Sequence, residues 1–156
     1  VRVCFTIAIL TCGLIGCERA PELPKLVPVS GQIQYAGKSA AGIRVTFYPT
    51  SEPALTETGR PVYPTGTVDA DGRFTLQTSG HGVGAAPGSY QVVLNWPTEV
   101  AEDQEAKDED RLLGWYDVAH SSLTVKVIAN ELTLPTINLP LVKGPPEAVQ
   151  GIPGRN

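Results

Sequence analysis

Tyr90-Gln91-Val92-Val93-Leu94-Asn95-Trp96 decides the fold: Tyr90, Val92, Leu94 and Trp96 alternate with Gln91, Val93 and Asn95. Side chains of an extended strand point to opposite faces in turn, so this spacing predicts one buried face and one wetter face. The same period of two recurs on either side. Upstream, Val27, Val29, Ile33 and Tyr35 share one parity, as do Ile43, Val45 and Phe47, with Arg44, Thr46 and Tyr48 pointing oppositely. A short strand around Gly66-Thr67-Val68 precedes alternating Phe74, Leu76 and Thr78. Downstream come Leu123, Val125 and Val127, then Leu132 and Leu134. After Pro135 the parity flips to Ile137, Leu139 and Leu141, as a bulge or bend at an edge strand requires. No strong helical period competes. The pattern predicts an all-β domain, a seven-stranded antiparallel β-sandwich.

Turn chemistry separates the strands. Tyr35-Ala36-Gly37-Lys38 closes a hairpin-like connection, and Asp69-Ala70-Asp71-Gly72 carries the Asp-Gly signal of a tight turn. Ala86-Pro87-Gly88 sets up the entry to the Tyr90 strand. Gly31 and Gly42 are expected to permit a bend or a close approach. Tyr90 is expected to bury its ring and send its hydroxyl to backbone, as tyrosine corners do. Two longer excursions, residues 51–64 and 97–121, interrupt the alternation.

The amino-terminal part reads differently. Residues 3–15 follow Arg2, are almost wholly apolar, hold no carboxylate and end in Leu14-Ile15-Gly16-Cys17. Their length is that of a signal-peptide core and falls short of the roughly 20 apolar residues a membrane-spanning helix needs. With small Gly16 ahead of Cys17, the tetrapeptide resembles the lipobox of bacterial lipoprotein signal peptides. That resemblance implies cleavage before Cys17, a thioether from its sulfur to diacylglycerol and acylation, with palmitate for example, of the freed amine. Residues 1–16 are then a signal-peptide helix, 17–26 the lipidated cysteine and a Pro-containing tether, 27–141 the sandwich and 142–156 a disordered tail. The implied location is extracytoplasmic and membrane-anchored, at the outer membrane or the periplasmic face. Glu18 is not the aspartate associated with inner-membrane retention. The chain has no methionine and begins at Val1, which suggests an alternative or slightly misplaced start.

Cysteine usage follows from the same assignment. Cys4 and Cys12 fall in the leader, which leaves Cys17 alone in the mature chain. No disulfide, thiol catalysis or Cys-based metal site is then expected, and the domain depends on its own core. The formal charge of −4, one unit more negative without Arg2, argues against nucleic acid, which calls for clustered Lys and Arg.

Four segments occur in a recognisable order: Val29-Ser30-Gly31-Gln32-Ile33-Gln34-Tyr35-Ala36-Gly37-Lys38, Ala41-Gly42-Ile43-Arg44-Val45-Thr46-Phe47, Thr67-Val68-Asp69-Ala70-Asp71-Gly72-Arg73-Phe74-Thr75-Leu76 and Pro87-Gly88-Ser89-Tyr90-Gln91-Val92. Together they resemble a carboxypeptidase regulatory-like domain, a transthyretin-like or prealbumin-like sandwich, over about residues 27–139. The run from Ser121 to Val127 is similar to the ending of single-domain lipoproteins abundant in planctomycete bacteria. The resemblance implies a fold, and folds of this type host many functions.

Candidate chemistry is sparse. Asp69 and Asp71 lack the third oxygen ligand and distal Glu of a calcium loop, so they read as a turn and no metal is assigned. His81 lies in Ser79-Gly80-His81-Gly82-Val83-Gly84, which lacks a phosphate loop's Lys-Ser/Thr pair and reads as a mobile connection. Ser122, His120 and Asp117 compose a triad on paper, but sequence neighbours rarely have triad geometry and no Gly-x-Ser-x-Gly elbow exists. The Tyr-Arg-Gly-Ser motif of transthyretin-like hydrolases is missing. No catalytic residue and no cofactor are assigned, and a hydrolase is the last of the classes considered. Residues 99–110 hold seven carboxylates and read as a solvated loop or a frayed helix capped by Thr98. Trp115 and Tyr116 follow and are expected to pack across a sheet edge. With Tyr48, they are also the candidate ligand contacts of an alternative carbohydrate-binding module, since such rings offer apolar area with a polar rim. The expected partners are the membrane, through lipid on Cys17, and an envelope protein or glycan.

Overall fold

The computed structural model describes residues 25–51, 53, 59–98 and 109–146. The leader, Cys17, the tether to residue 24, most of the acidic stretch and the end of the tail lie outside these residues. Among the described residues there is no helix, and the strands are β1 (Val29–Tyr35), β2 (Lys38–Ser39), β3 (Arg44–Pro49), β4 (Pro64–Thr67), β5 (Arg73–Thr75), β6 (Gln77–Thr78), β7 (Gly82–Val83), β8 (Gly88–Asn95), β9 (Thr124–Val127), β10 (Leu132–Thr133) and β11 (Ile137–Leu139).

They form two sheets. In the first, β1 is flanked by antiparallel β5 and β2 and by parallel β10 and β11. The second runs β7-β6-β4-β3-β8-β9, every neighbour antiparallel. The inner faces share one core, with Val29, Ile33 and Leu139 from the first sheet and Val45, Phe47, Val92 and Leu94 from the second. The domain is therefore all-β and sandwich-like.

Seven strands were expected and eleven are described, for identifiable reasons. The Phe74–Leu76–Thr78 alternation is split because the chain changes sheets there. β5 pairs with β1, β6 pairs with β4, and fully buried Leu76 lies between. The Leu76 N–H donates to the Val29 carbonyl and its own carbonyl accepts from Gly84, so the crossing leaves neither group unpaired. The 132–141 run is split by the bulge that the parity flip implies. Ser30 faces Thr133 and Ile33 faces Ile137, so the later strand carries one more residue than β1 over the same span. That insertion lets both Leu134 and Leu139 face inward, whereas Leu141, beyond the pairing, is 61% exposed. β2 and β7 are two-residue arms of hairpins.

The expected antiparallel order also needs one correction. β10 and β11 run parallel to β1, because the chain reaches them from β9 in the other sheet and not through a hairpin.

Glycine sets the closeness of two contacts. A Cβ on Gly31 would lie 2.8 Å from the Phe74 ring, which packs directly across the β1–β5 pair. Gly84, at φ +109°, passes so near Val27 that a Cβ would stand 2.1 Å from its carbonyl oxygen. The Ser79–Gly84 segment, read as a mobile connection, is thus the β6–β7 hairpin packed on the incoming chain.

Candidate functional site

The outer face of the six-stranded sheet carries an open polar cleft. Alternation on β3 buries Val45 and Phe47 and turns Arg44, Thr46 and Tyr48 outward. Register then builds two outward rungs between β3 and β4, and a third contact forms just before β4. Arg44 pairs with Thr67, Thr46 pairs with Thr65, and the Tyr48 and Tyr63 rings stack with centroids 4.5 Å apart and planes 33° apart. Beside Thr65 lies Gln77 on β6. A cleft of about 510 Å³ opens over this surface, lined by Arg44, Thr46, Thr65, Thr67, Thr75 and Gln77. Gly66 floors it, and a Cβ there would stand 2.7 Å from the Thr75 carbonyl oxygen, so glycine lets β4 lie close to the crossing strand. Tyr63 and the cleft were not legible in the sequence. Tyr63 precedes the expected strand, and only the β3–β4 register brings it over Tyr48.

Trp115 and Tyr116 are placed elsewhere in the contact network. Tyr116 packs against the core, its carbonyl accepting from Leu94 N–H at 2.9 Å, as expected for packing along a sheet edge. Burial, and then the neighbouring Tyr35, push its hydroxyl pKa up. Trp115 is 42% exposed, and its indole N–H donates to the Gly144 carbonyl. Val142 N–H donates to the Tyr35 hydroxyl at 3.1 Å, so the first residues of the expected tail lie against the domain. Among the described residues, no ring contact joins Tyr48 to Trp115 or Tyr116.

Around the base of the acidic excursion the polar groups are committed to structure. Asp110 Oδ1 accepts from the Trp96 and Leu112 N–H groups at 2.8 and 3.0 Å, and Oδ2 accepts from Gly114 at 3.0 Å. Arg111 lies over the Trp96 ring at 3.6 Å, a cation–π contact. Thr98 fastens the start of the excursion to its end. Its N–H and its hydroxyl both donate to the Glu109 carbonyl at 3.1 Å, which ties the two ends of the excursion together. A helix within residues 99–108 lies outside the described residues.

His120 and Asp117 do meet. Nδ1 stands 2.8 Å from Oδ1, which also accepts the Ala119 and His120 N–H groups at 2.8 and 2.9 Å. Burial pushes the Asp117 carboxyl up, but the hydrogen bonds from His120 and from the two N–H groups outweigh it and hold the pKa below its usual value. No nucleophile completes the arrangement among the described residues. The Nε2 atom is buried without a hydrogen-bond partner, and Ser121 donates its hydroxyl to the Val92 carbonyl at 2.5 Å. Ser122, the third member composed on paper, is exposed and not joined to it. Asp69 is likewise occupied, with Oδ1 accepting from Asp71 and Arg73 N–H at 2.9 and 2.8 Å to shape the Asp-Gly turn.

The class defined by this geometry is an all-β, two-sheet domain with an open polar cleft on one sheet. No protein-family profile, curated protein or solved structure matches the chain.

Proposed function

We propose that this chain is a lipid-anchored envelope protein. Its transthyretin-like, carboxypeptidase regulatory-like domain serves as a non-catalytic binding or structural module at the cell surface or in the periplasm. The observation that carries this reading is Leu14-Ile15-Gly16-Cys17 at the close of an apolar run. Residues 18–156 hold no cysteine, so Cys17 is the one thiol left after cleavage. Lys25, the first described residue, follows Cys17 by eight positions, so the tether spans at most about 28 Å when extended. Anchoring would rest on acyl chains contributing about 0.8 kcal/mol per buried methylene, and one chain alone holds only marginally. Two or three chains on Cys17 make release slow.

Fractionation of cells expressing Cys17→Ser tests the reading. The expected product is soluble or unprocessed, whereas the wild type sediments with membranes. Equal sedimentation of the two would contradict the anchor. A second reading, carbohydrate binding through exposed aromatics, is favoured by one observation, the Tyr48–Tyr63 stack beside the cleft.

A further inference from the structure

We infer that the cleft on the outer face of the six-stranded sheet is the ligand site of this module, and that its occupant is an acidic polysaccharide. The inference rests on the reading of the chain as a binding module and names the ligand class. It does not depend on the lipid anchor.

Charge is the first reason. The protein carries a net charge of −4, yet no strand of the six-stranded sheet contributes an Asp or a Glu. Its outward cations are Arg44 in the cleft and Lys126, which pairs with Ser89 on the same sheet. Arg44 is exposed and has no carboxylate partner among the described residues. A guanidinium so placed presents a planar fork that matches a carboxylate with two parallel hydrogen bonds. A guanidinium without a carboxylate partner among the described residues favours an anionic group on the ligand.

The lining is the second reason. Threonine hydroxyls and the Gln77 amide both donate and accept, which suits a chain of hydroxyl groups better than an apolar peptide. Nucleic acid would need a cluster of cations where the cleft offers one. The half-buried Tyr48–Tyr63 pair, at the next alternate positions along the chain beyond Thr46 and Thr65, supplies ring area for the apolar face of a sugar.

Length is the third. From Tyr48 through Thr46 to Arg44 the outward positions follow a strand for four residue steps, roughly 13 Å at strand rise. An extended oligosaccharide can therefore lay one ring on the tyrosines and a carboxylate on Arg44 at once. The β8–β9 side of the same face is less open, since Gln91 donates its side-chain amide to the Val118 and Ser121 carbonyls at 3.1 and 2.8 Å.

The test is calorimetric titration of the detergent-solubilised full chain with oligogalacturonate. Neutral cello-oligosaccharide and poly-glutamate serve as comparison probes. Oligogalacturonate should bind, with affinity falling as salt is raised. Arg44→Gln should weaken it at least tenfold, and Tyr48→Leu should do so with the thermal midpoint recorded to separate folding from binding. Amide shifts on titration should fall on β3, β4 and β6. Absence of binding, or binding unchanged in Arg44→Gln, overturns the proposal. Equal binding of the neutral oligosaccharide overturns the anionic preference, and equal binding of poly-glutamate overturns the polysaccharide. Cys17→Ser protein should bind as the wild type does, so failure of the anchor and failure of the site are read separately.

Discussion

Tyr90 fastens two parts of the domain with one side chain. Its ring is buried against Phe47, centroids 5.6 Å apart, while its hydroxyl donates to the Ala86 carbonyl at 2.7 Å. Tyr90→Phe keeps the ring and leaves that carbonyl without its donor, so urea unfolding should show a loss of about 1 kcal/mol. The pH dependence has a definite sign. Burial raises the hydroxyl pKa above its ordinary 10.0, so the folded state holds the proton more firmly than the unfolded chain. The contribution is complete below pH 10 and is lost as pH rises through the folded value. The difference between wild type and Tyr90→Phe should therefore shrink on alkaline titration, and a difference that grew there would contradict this account. The role of Tyr90 was legible in the sequence, because an aromatic opening an alternating run shortly after Pro-Gly has few other structural uses.

The elements differ in how far local pattern determined them. Strands β1, β3 and β8 follow directly from alternation, since a one-residue shift would turn Val29, Val45 or Val92 out of the core. The sheet change at Leu76 was not legible. Phe74, Leu76 and Thr78 are all buried, and their spacing is the same whether the strand stays in one sheet or crosses. The β6–β7 hairpin was hidden for another reason, because glycines written as Gly-His-Gly-Val-Gly signal freedom but not where that freedom is used. The structure uses it at Gly84. There the N–H donates to the Leu76 carbonyl, the carbonyl accepts from the Thr78 hydroxyl, and the backbone lies against Val27. Gly84→Ala forces a Cβ into the Val27 carbonyl at φ +109° and should cost at least about 2 kcal/mol. Gly80→Ala has a similar positive φ of +75° but meets nothing within 4 Å, and should cost only about 1 kcal/mol. Equal losses in the two variants, measured by denaturant unfolding, would contradict the close approach. The cleft was also beyond local pattern. Arg44, Thr46 and Tyr48 were assigned to the outward face, but which residues stand across from them depends on the β3–β4 register.

At the scale of the whole molecule, a two-sheet domain follows a segment that ends in Cys17, the residue proposed to carry lipid. A ligand site on the outer sheet face needs no pocket inside the domain, which leaves the core free for packing. On the proposed anchor, a short tether would keep the domain near the envelope surface, where a tethered module meets polymers at high local concentration. Everything in this placement depends on the chemistry of Cys17. The most direct measurement is mass spectrometry of tryptic peptides from membrane-extracted protein. The account predicts an amino-terminal peptide running from Cys17 to Arg19 that carries a diacylglyceryl thioether. A peptide continuous from Val3 to Arg19 with an unmodified Cys17 thiol, in the membrane fraction, would contradict it.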